Sequence, residues 1–589
     1  PRSGGTFVAC DSVPIVAHHL RQHPEGLMPG QFGGLIEECR DFAEITGEIG
    51  DVVLLHPFVL HAASQNPSGR PRFITNPCIS LKEPMNFNRA DSAEFSPIER
   101  AVLQGLGVDR LDYRITGERR RLTPEREKRQ RKCSQNNTNA WRPPMPEHKN
   151  VLFLIADDWS RLAACYGNTA IKTPRIDAFA NQSVVFDNAF CTSPSCAVSR
   201  ACILTGQHSH THGQYGHCHG LHGFTTHRHM SSTPQSLRQA GFATACIGKK
   251  HVEPHAVYPF EYEPDLNPRS PADLADAARS FLADNTDRPF YLHVGFTDPH
   301  RAGRGFANDR EWPGVTEVPY RPEEVVVPDF LPDIPEVRAD LADYYQAVSR
   351  FDHGIGLLLD TLEASGRADE TLVVVTTDHA MPFPGAKASF YESGHHCPFI
   401  LRTPDLAKRG IHHQALINWT NIRPTIHDWC NVPAPDDLPE RSLLPILADP
   451  QIAGWDETYF SHCFHEVVDY NPYRVLRGRR YKFVRHIAAE IQTLLPTDLF
   501  RSVSWTAVRE QGIDKMGLRD TNRVLVHQPE ELYDIVEDPM ETTNLIGTPA
   551  LAEIESAMRE KLLAFRRTTK DPWLEVDYQQ GRIDEHPPV

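Results

Sequence analysis

Short apolar runs that each end in charged or imidazole side chains constrain this chain more than any other feature. Residues 150–156 read NVLFLIA and lead into Asp157 and Asp158. The run 243–247 leads, after Gly248, into Lys249, Lys250 and His251. The run 289–296 leads into Thr297, Asp298, Pro299 and His300. The run TLVVVTT, starting at Thr371, leads into Asp378 and His379, and another apolar run spans 398–401. A short apolar stretch bounded by polar residues reads as a strand buried on both faces, as in parallel sheets. Helical patterns lie between the runs, over 233–240, 271–283, 336–365 and 420–430. The first opens on Ser232-Thr233-Pro234, a cap followed by proline in the first turn. This alternation predicts an α/β domain, a mostly parallel sheet sandwiched by helices. Ligands in such sheets bind beyond the carboxyl ends of the strands, and four sets of polar groups fall there.

A chain of 589 residues exceeds what one hydrophobic core organises. Residues 1–116 read as a separate unit, with strand-like pieces at 5–9, 51–55 and 72–79 and a turn at 66–71. Residues 117–149 read as a basic and polar linker, with ERRRLTPEREKRQRK as a solvated charge run. The α/β domain covers 150–454. A small C-terminal α+β subdomain covers 455–589, with strands at 457–462, 474–476 and 481–484 and a helix near 550–565.

The formal net charge of −16 argues against nucleic acid as a partner and asks for a local cationic pocket around any anionic ligand. No apolar run reaches the roughly 18 residues of a membrane span, so no membrane partner is expected. The 13 cysteines lack CxxC spacing and read as mostly reduced thiols. No signal-peptide pattern opens the sequence, and a cytoplasmic setting is the expectation for the chain as it stands.

An Asp after a single strand is equally well explained as a helix cap. Four strands delivering complementary groups at one end are not. Asp157, Asp158 and Asp378 together need a cation, or their repulsion raises their pKa values. Oxygen ligands select a hard ion, Ca²⁺ or Mg²⁺. The adjacent lysines and histidines then supply donors for an anion, which suits a sulfate or phosphate ester. The segment CAVSR begins at Cys196 and reads as a helix start, where negative charge is favoured. Arg200 follows one turn later on the same face. A structural or redox thiol of low pKa is the other reading of this segment.

ADD after the first strand, then CxxSRxxxLTG, GKxH, DPH and TTDH in this order, resemble the sulfatase family of the alkaline-phosphatase superfamily. The likeness runs from about Asn150 to the C-terminus. IGKKHVEPHAVYPFEY, RPFYLHVGFTDPHRAG, VRADLADYYQAVSRFDHGIGLLLDTLE and ELYDIVEDPMETTNL are similar to its N-sulfoglucosamine sulfohydrolase (heparan N-sulfatase) branch. The resemblance implies an alkaline phosphatase/sulfatase-like fold and a hydrolase releasing inorganic sulfate from a sulfated sugar or glycosaminoglycan, N-sulfoglucosamine being one candidate. It implies a formylglycine-generating enzyme as partner, which oxidises Cys196 to formylglycine, whose hydrate is the nucleophile. Asp157, Asp158, Asp378 and His379 would hold Ca²⁺, with Mg²⁺ as the other choice; His379 stands where near relatives have Asn. Arg200 would hold the hydrate, and Lys249 and Lys387 would grip sulfate oxygens. His251 would take a proton from the geminal diol, and His300 would protonate the leaving group. The stretch SHCFHEVVDYNPYRV resembles one in the same branch and places His465 and Glu466 near substrate, a packing pair being the other reading.

One departure matters. Val198 stands where the conversion pattern has Pro or Ala. If Cys196 stays a thiol, the chain becomes a non-catalytic binder of sulfated glycans. A phosphodiesterase or phosphonate hydrolase of the same superfamily is the other alternative. The family's members are lysosomal or exported. Eight histidines fall in 208–229, at 208, 210, 212, 217, 219, 222, 227 and 229, and a solvated or substrate-lining loop is expected there in preference to a transition-metal site.

GDVVLLHPFVLHAASQNPSGRPRFITNPCISLKEP resembles the C-terminal part of phytanoyl-CoA dioxygenase-type proteins, Fe(II)/2-oxoglutarate jelly rolls. That implies an N-terminal partial β jelly roll, with His61 at the distal iron position and Arg72 at the 2-oxoglutarate clamp. A facial triad also needs an earlier HxD. His23-Pro24-Glu25 is the sole look-alike and lies too close to His61. The site reads as vestigial: no functional Fe(II)/2-oxoglutarate centre and no oxidoreductase activity are expected.

Overall fold

The computed structural model describes residues 6–24, 34–45, 55–56, 58–63, 85–114, 149–584 and 586. The chain divides into two units, Pro1–Ala140 and Trp141–Val589. In the first, strands β1 (Thr6–Ala9), β2 (Phe42–Ile45) and β3 (His61–Ala63) form an antiparallel sheet in the order β2-β1-β3. Helices α1 (Ser12–Arg21) and α2 (Pro97–Leu106) pack through Ala17, Val102 and Leu106. Ser96 and Glu99 form a reciprocal capping box at the start of α2, with Pro97 in its first turn. The expected strand at 72–79, the turn at 66–71, Arg72, residues 51–54 and the linker 117–148 lie outside the described residues. His61 falls on β3.

The second unit is built on a seven-stranded sheet. Its strands are β4 (Asn150–Ala156), β5 (Val184–Phe190), β6 (Ala243–Gly248), β7 (Phe290–Gly295), β8 (Thr371–Thr377), β9 (Phe399–Arg402) and β10 (Ile411–Asn418). They lie in the order β10-β5-β9-β8-β4-β7-β6. All pairings are parallel except those of β9, which is antiparallel to β5 and β8. The apolar run at 398–401 is therefore a buried strand, but not a parallel one; apolar composition sets burial and leaves direction open.

Every residue of β4, β7 and β8 is buried. Alternation divides them between two cores. Leu152 and Leu154 join one core with Leu274 and Ala278 of α4 (Pro271–Asp284) and Leu341, Val348 and Ile355 of α5 (Pro335–Ala364). Val151, Phe153 and Ile155 join the other with Ile203 and Leu204 of α3 (Cys196–Thr205) and Ile426 of α6 (Ile422–Trp429).

The C-terminal subdomain is an antiparallel sheet of β11 (Glu457–Phe464), β12 (Tyr470–Gly478), β13 (Tyr481–His486) and β16 (Glu530–Asp534), beside a ribbon of β14 (Lys515–Met516) and β15 (Arg519–Asp520). Leu476, Phe483 and Leu532 pack against Met558 and Leu562 of α7 (Ala552–Thr568). Phe460, Tyr473 and Val484 on the opposite face pack against Phe190 and Phe390 of the α/β domain. That contact brings the end of β11 beside the carboxyl ends of the main sheet. Among the described residues, no helix is long and apolar enough to cross a membrane.

Candidate active site

Strands β8, β4, β7 and β6 are consecutive neighbours and mutually parallel. Their carboxyl ends therefore open on one side, and the polar residues that follow them meet there. Gly248 and Gly295 let β6 and β7 close together at this end, since a Cβ on Gly295 would collide with the Lys249 carbonyl. Asp158, His251 and Ala388 have φ of 68°, 57° and 60°. Non-glycine residues rarely adopt that region, and it persists where surroundings over-determine it, commonly at functional sites.

The three carboxylates are fully buried and threaded with cations. Asp378 Oδ1 accepts from the backbone N–H of Asp158 (3.1 Å) and His379 (2.9 Å). Asp378 Oδ2 accepts from Arg200 Nε at 3.0 Å. Arg200 also donates to the carbonyls of Lys249 (3.0 Å) and Ala156 (3.3 Å). Its guanidinium is thus engaged in bracing Asp378 and the strand ends. Lys249 Nζ pairs with Asp157 Oδ2. Lys387 Nζ reaches Asp158 Oδ2 at 3.0 Å and Asp498 Oδ2 at 2.8 Å. Ser199 Oγ and Trp419 Nε1 both donate to the Asp378 carbonyl, which fixes the turn after β8.

The donor set fits a divalent cation. One donor atom each from Asp157, Cys196, Asp378 and His379 lie within 4.8 Å of one another, as do those of Asp158, Cys196 and His300. Asp157 Oδ1 and Asp158 Oδ1 are buried with no hydrogen-bond partner. Each orphaned polar atom costs roughly 1–3 kcal/mol or more, which a bound cation offsets. His379 Nδ1 donates to the Ala380 carbonyl at 3.0 Å. Its Nε2 lone pair therefore faces Asp158 Oδ1, 3.2 Å away. Two acceptors in that arrangement are satisfied by a shared cation. Burial pushes Asp158 well above the usual carboxylate range and Asp378 up to about 7. For Asp157 burial is outweighed by Lys249, His300 and Arg200, which hold it well below that range. Predominantly oxygen donors suit Ca²⁺ or Mg²⁺.

Cys196 opens α3, whose ten residues are all buried. Ser195 occupies the cap position, yet its hydroxyl makes no capping bond and has no partner. Cys196 Sγ lies 3.2 Å from His379 Nε2. Burial pushes the Cys196 thiol well above its ordinary pKa. A reactive low-pKa thiol, one reading of the sequence at this helix start, is thereby disfavoured. His300 Nδ1 donates to the Arg301 carbonyl at 2.6 Å, so Nε2 is the atom presented to the site, 3.8 Å from both Asp158 and Asp498. Burial and Lys387 lower His300 to about 3.

His251 Nε2 lies 2.6 Å from His219 Nδ1, and His217 Nε2 lies 3.0 Å from His465 Nε2. His465 is thus adjacent to the cluster. Glu466 instead holds Thr497, through its N–H (3.2 Å) and hydroxyl (2.6 Å), at the turn carrying Asp498. The histidine stretch divides. His208, His210 and His212 are buried in the packing, against Phe565, Thr569 Oγ1 (2.8 Å) and Cys202 Sγ (3.2 Å), so the loop is not solvated throughout. Asp498 went unnoticed in the sequence; its one signal is Pro496-Thr497-Asp498, an acidic first turn.

Comparison with known proteins gives a consistent picture. Residues 149–432 match the sulfatase family, and 386–498 match the C-terminal family of N-sulphoglucosamine sulphohydrolase. N-sulphoglucosamine sulphohydrolase of Homo sapiens is 34% identical over 461 residues, 72% of this chain and 91% of that protein. An ulvan-active sulfatase of Formosa agariphila is 25% identical over 438 residues, 72% of this chain and 81% of that protein. A solved structure in complex with D-glucosamine-2-N,6-O-disulfate superposes with TM-score 0.53 at 22% identity, over 72% of this chain and 99% of the other. The phosphonate monoester hydrolase of Silicibacter pomeroyi superposes with TM-score 0.53 at 19% identity, over 72% of this chain and 97% of the other. The two superpositions speak for the fold.

Proposed function

The chain belongs to the sulfatase family, and from that premise we propose that it hydrolyses the sulfamate of N-sulfoglucosamine at the end of a sulfated glycan. In this reading Cys196 is the precursor of formylglycine and Asp157, Asp158, Asp378 and His379 hold Ca²⁺. The observation that carries it is the convergence of donor atoms from Asp157, Cys196, Asp378 and His379 within 4.8 Å, beyond the carboxyl ends of the sheet. The substrate assignment is supported by the 34% identity to the human sulfohydrolase. It is supported also by the match over 386–498, which contains both Lys387 and Asp498.

Bound Ca²⁺ supplies positive charge against the sulfuryl oxygens. Formylglycine supplies a hydrated aldehyde whose two hydroxyls serve attack and release in turn. The chain's own residues do the rest. Lys249, paired with Asp157, and Lys387, paired with Asp158, orient a tetrahedral anion at the carboxylate centre. Arg200 keeps Asp378 in place. His251 receives the proton from the nucleophile side; His300, neutral before substrate binds, takes up a proton beside the bound anion and delivers it from Nε2 to the departing nitrogen. Overall the S–N bond breaks, water contributes the new oxygen, and sulfate and a protonated amine leave. Breadth towards phosphonates stays an alternative, because the same cationic frame accepts any tetrahedral anion.

The test is release of inorganic sulfate from N-sulfated and from 6-O-sulfated glucosamine, after co-expression with a formylglycine-generating enzyme. Faster release from the N-sulfated sugar is expected. Equal or reversed rates would remove the sulfamidase assignment. No release from either, with an aldehyde present at position 196, would remove the hydrolytic reading.

A further inference from the structure

Outside the carboxylate centre, three imidazoles meet beside the end of β6. One ring nitrogen each of His217, His219 and His251 lie within 4.8 Å of one another. His217 and His219 sit two residues apart in a loop that is fastened on both sides. Its N–H at His217 bonds the His465 carbonyl (3.0 Å), and Phe224 N–H returns to the His217 carbonyl (3.1 Å). The Gln214 amide holds the carbonyls of Gly216 and Phe224, at 2.6 and 2.8 Å. His222 Nδ1 accepts from Val467 N at 3.2 Å. His251 reaches the same point from the end of β6.

We propose that His217, His219 and His251 form a second metal site that takes Zn²⁺ and, when filled, withdraws His251 from catalysis. Nitrogen donors alone exclude the hard ions favoured by the carboxylate centre and select zinc and its neighbours. Three imidazoles with an open fourth position are an ordinary zinc arrangement. Both His217 Nδ1 and His251 Nδ1 are buried without a partner, so each ring keeps an unused nitrogen. His465 Nε2, 3.0 Å from His217 Nε2, is placed to support His217 from behind. Ligands about 2.0–2.1 Å from a tetrahedral ion stand about 3.3 Å apart. The contact of 2.6 Å between His219 and His251 must open slightly, and His219 lies on the exposed side, free to shift. Lys249 opposes a dication nearby, but its charge is matched by Asp157.

The inhibitory consequence rests on the role given to His251 under Proposed function, because a lone pair bonded to zinc cannot accept a proton. The binding itself does not rest on it. The test uses the full chain in excess Ca²⁺, which keeps Zn²⁺ off the carboxylates. Zn²⁺ binding is followed by titration calorimetry and sulfate release in parallel, for the unaltered chain, His217→Ala and His219→Gln. One zinc per chain is expected, weakened about tenfold or more in each variant. Both variants should lose zinc inhibition, each judged against its own zinc-free turnover. Equal zinc affinity in all three proteins would overturn the site, as would loss of binding in His486→Ala, which disrupts the other imidazole group, His486–His527–Glu531. If no protein releases sulfate, the hydrolytic reading fails, while the three affinities still decide the site.

Discussion

Cys196 Sγ lies 3.2 Å from His379 Nε2, and the same imidazole nitrogen lies 3.2 Å from Asp158 Oδ1. The residue read as nucleophile precursor and the proposed metal ligands therefore share one histidine. His379→Asn should test how far that sharing matters. An amide oxygen also serves a hard cation, so turnover should survive within about tenfold. His379→Ala should lose turnover by more than the roughly 10–100-fold that a supporting group costs. Equal activity in both variants, measured as sulfate release, would show that His379 holds no metal.

Cys196 itself carries a chemical prediction. Peptide mass spectrometry across Ser195–Arg200, after co-expression with a converting enzyme, should find an aldehyde in place of the thiol. Val198 tests the tolerance of that enzyme, since the conversion pattern has Pro or Ala there. Val198→Pro should raise the converted fraction. If residue 196 remains Cys in both proteins, the chain binds sulfated glycans without turning them over.

The carboxylate centre predicts a pH-dependent response to Ca²⁺. Burial raises Asp378 to about 7 in the folded chain, against about 3.9 when unfolded. A raised folded pKa means that the folded state binds more protons than the unfolded one between these values. Its contribution is therefore present below about pH 4 and fades as pH rises through about 7. Ca²⁺ replaces the proton, so the rise in melting temperature on adding Ca²⁺ should be larger at pH 8 than at pH 5. Calorimetry in buffers of different ionisation enthalpy should show proton release on binding. An increment of the same size at both pH values would contradict the assignment of Asp378 as ligand.

Much of this centre was legible because each residue follows an apolar strand: Asp157 and Asp158 after β4, Lys249 after β6, Asp378 after β8. Period and sequence order placed them at one end of one sheet. The strands β5 and β10 were not legible, because Asp187 and Asn188 interrupt VVFDNAF and two histidines and a glutamine interrupt IHHQALIN. The direction of β9 was hidden for a different reason, since burial carries no sign. Asp498 lies 111 residues from Lys387 in sequence, in a segment with no apolar run to mark it. Tertiary pairing of that kind leaves no local trace.

Asp498 is a strong test of that last point. Lys387 stands between Asp158 and Asp498, and His300 Nε2 is 3.8 Å from the same Asp498 oxygen. Lys387 and His300 outweigh burial and hold Asp498 far below the usual carboxylate range. Asp498→Asn removes that charge while keeping the shape. Lys387 should then lean on Asp158 alone, and turnover should fall roughly 10–100-fold with fold intact by circular dichroism. An unchanged kcat would show that Asp498 is a surface acid without influence on the site.

A buried ion cluster sits at the junction between α7 and the C-terminal sheet. Asp571 accepts from Arg474 Nε (2.9 Å) and Nη2 (2.8 Å) and from Arg566 Nε (2.7 Å). Arg474 and Asp571 are wholly buried and Arg566 nearly so. The two guanidinium groups outweigh burial and hold the Asp571 carboxyl far below its ordinary value. Its contribution is therefore present above the unfolded pKa near 4 and lost as pH falls below it. Replacing an ion cluster by apolar groups is often neutral, but removing one partner strands the others. Asp571→Asn leaves buried Arg474 facing a neutral amide, while Arg566 keeps its second carboxylate, Asp577, and should cost about 3–5 kcal/mol. The loss should shrink at acid pH, where the parent carboxylate is itself being titrated in the unfolded chain. Asp571 does not touch the carboxylate centre, so sulfate release per folded molecule at low temperature should stay within a few-fold. Denaturant unfolding of parent and variant at pH 7 and pH 4 measures the difference directly. Equal midpoints at pH 7 would show that Arg474 finds another partner, as Arg566 already has in Asp577, and that this junction does not hold the subdomain.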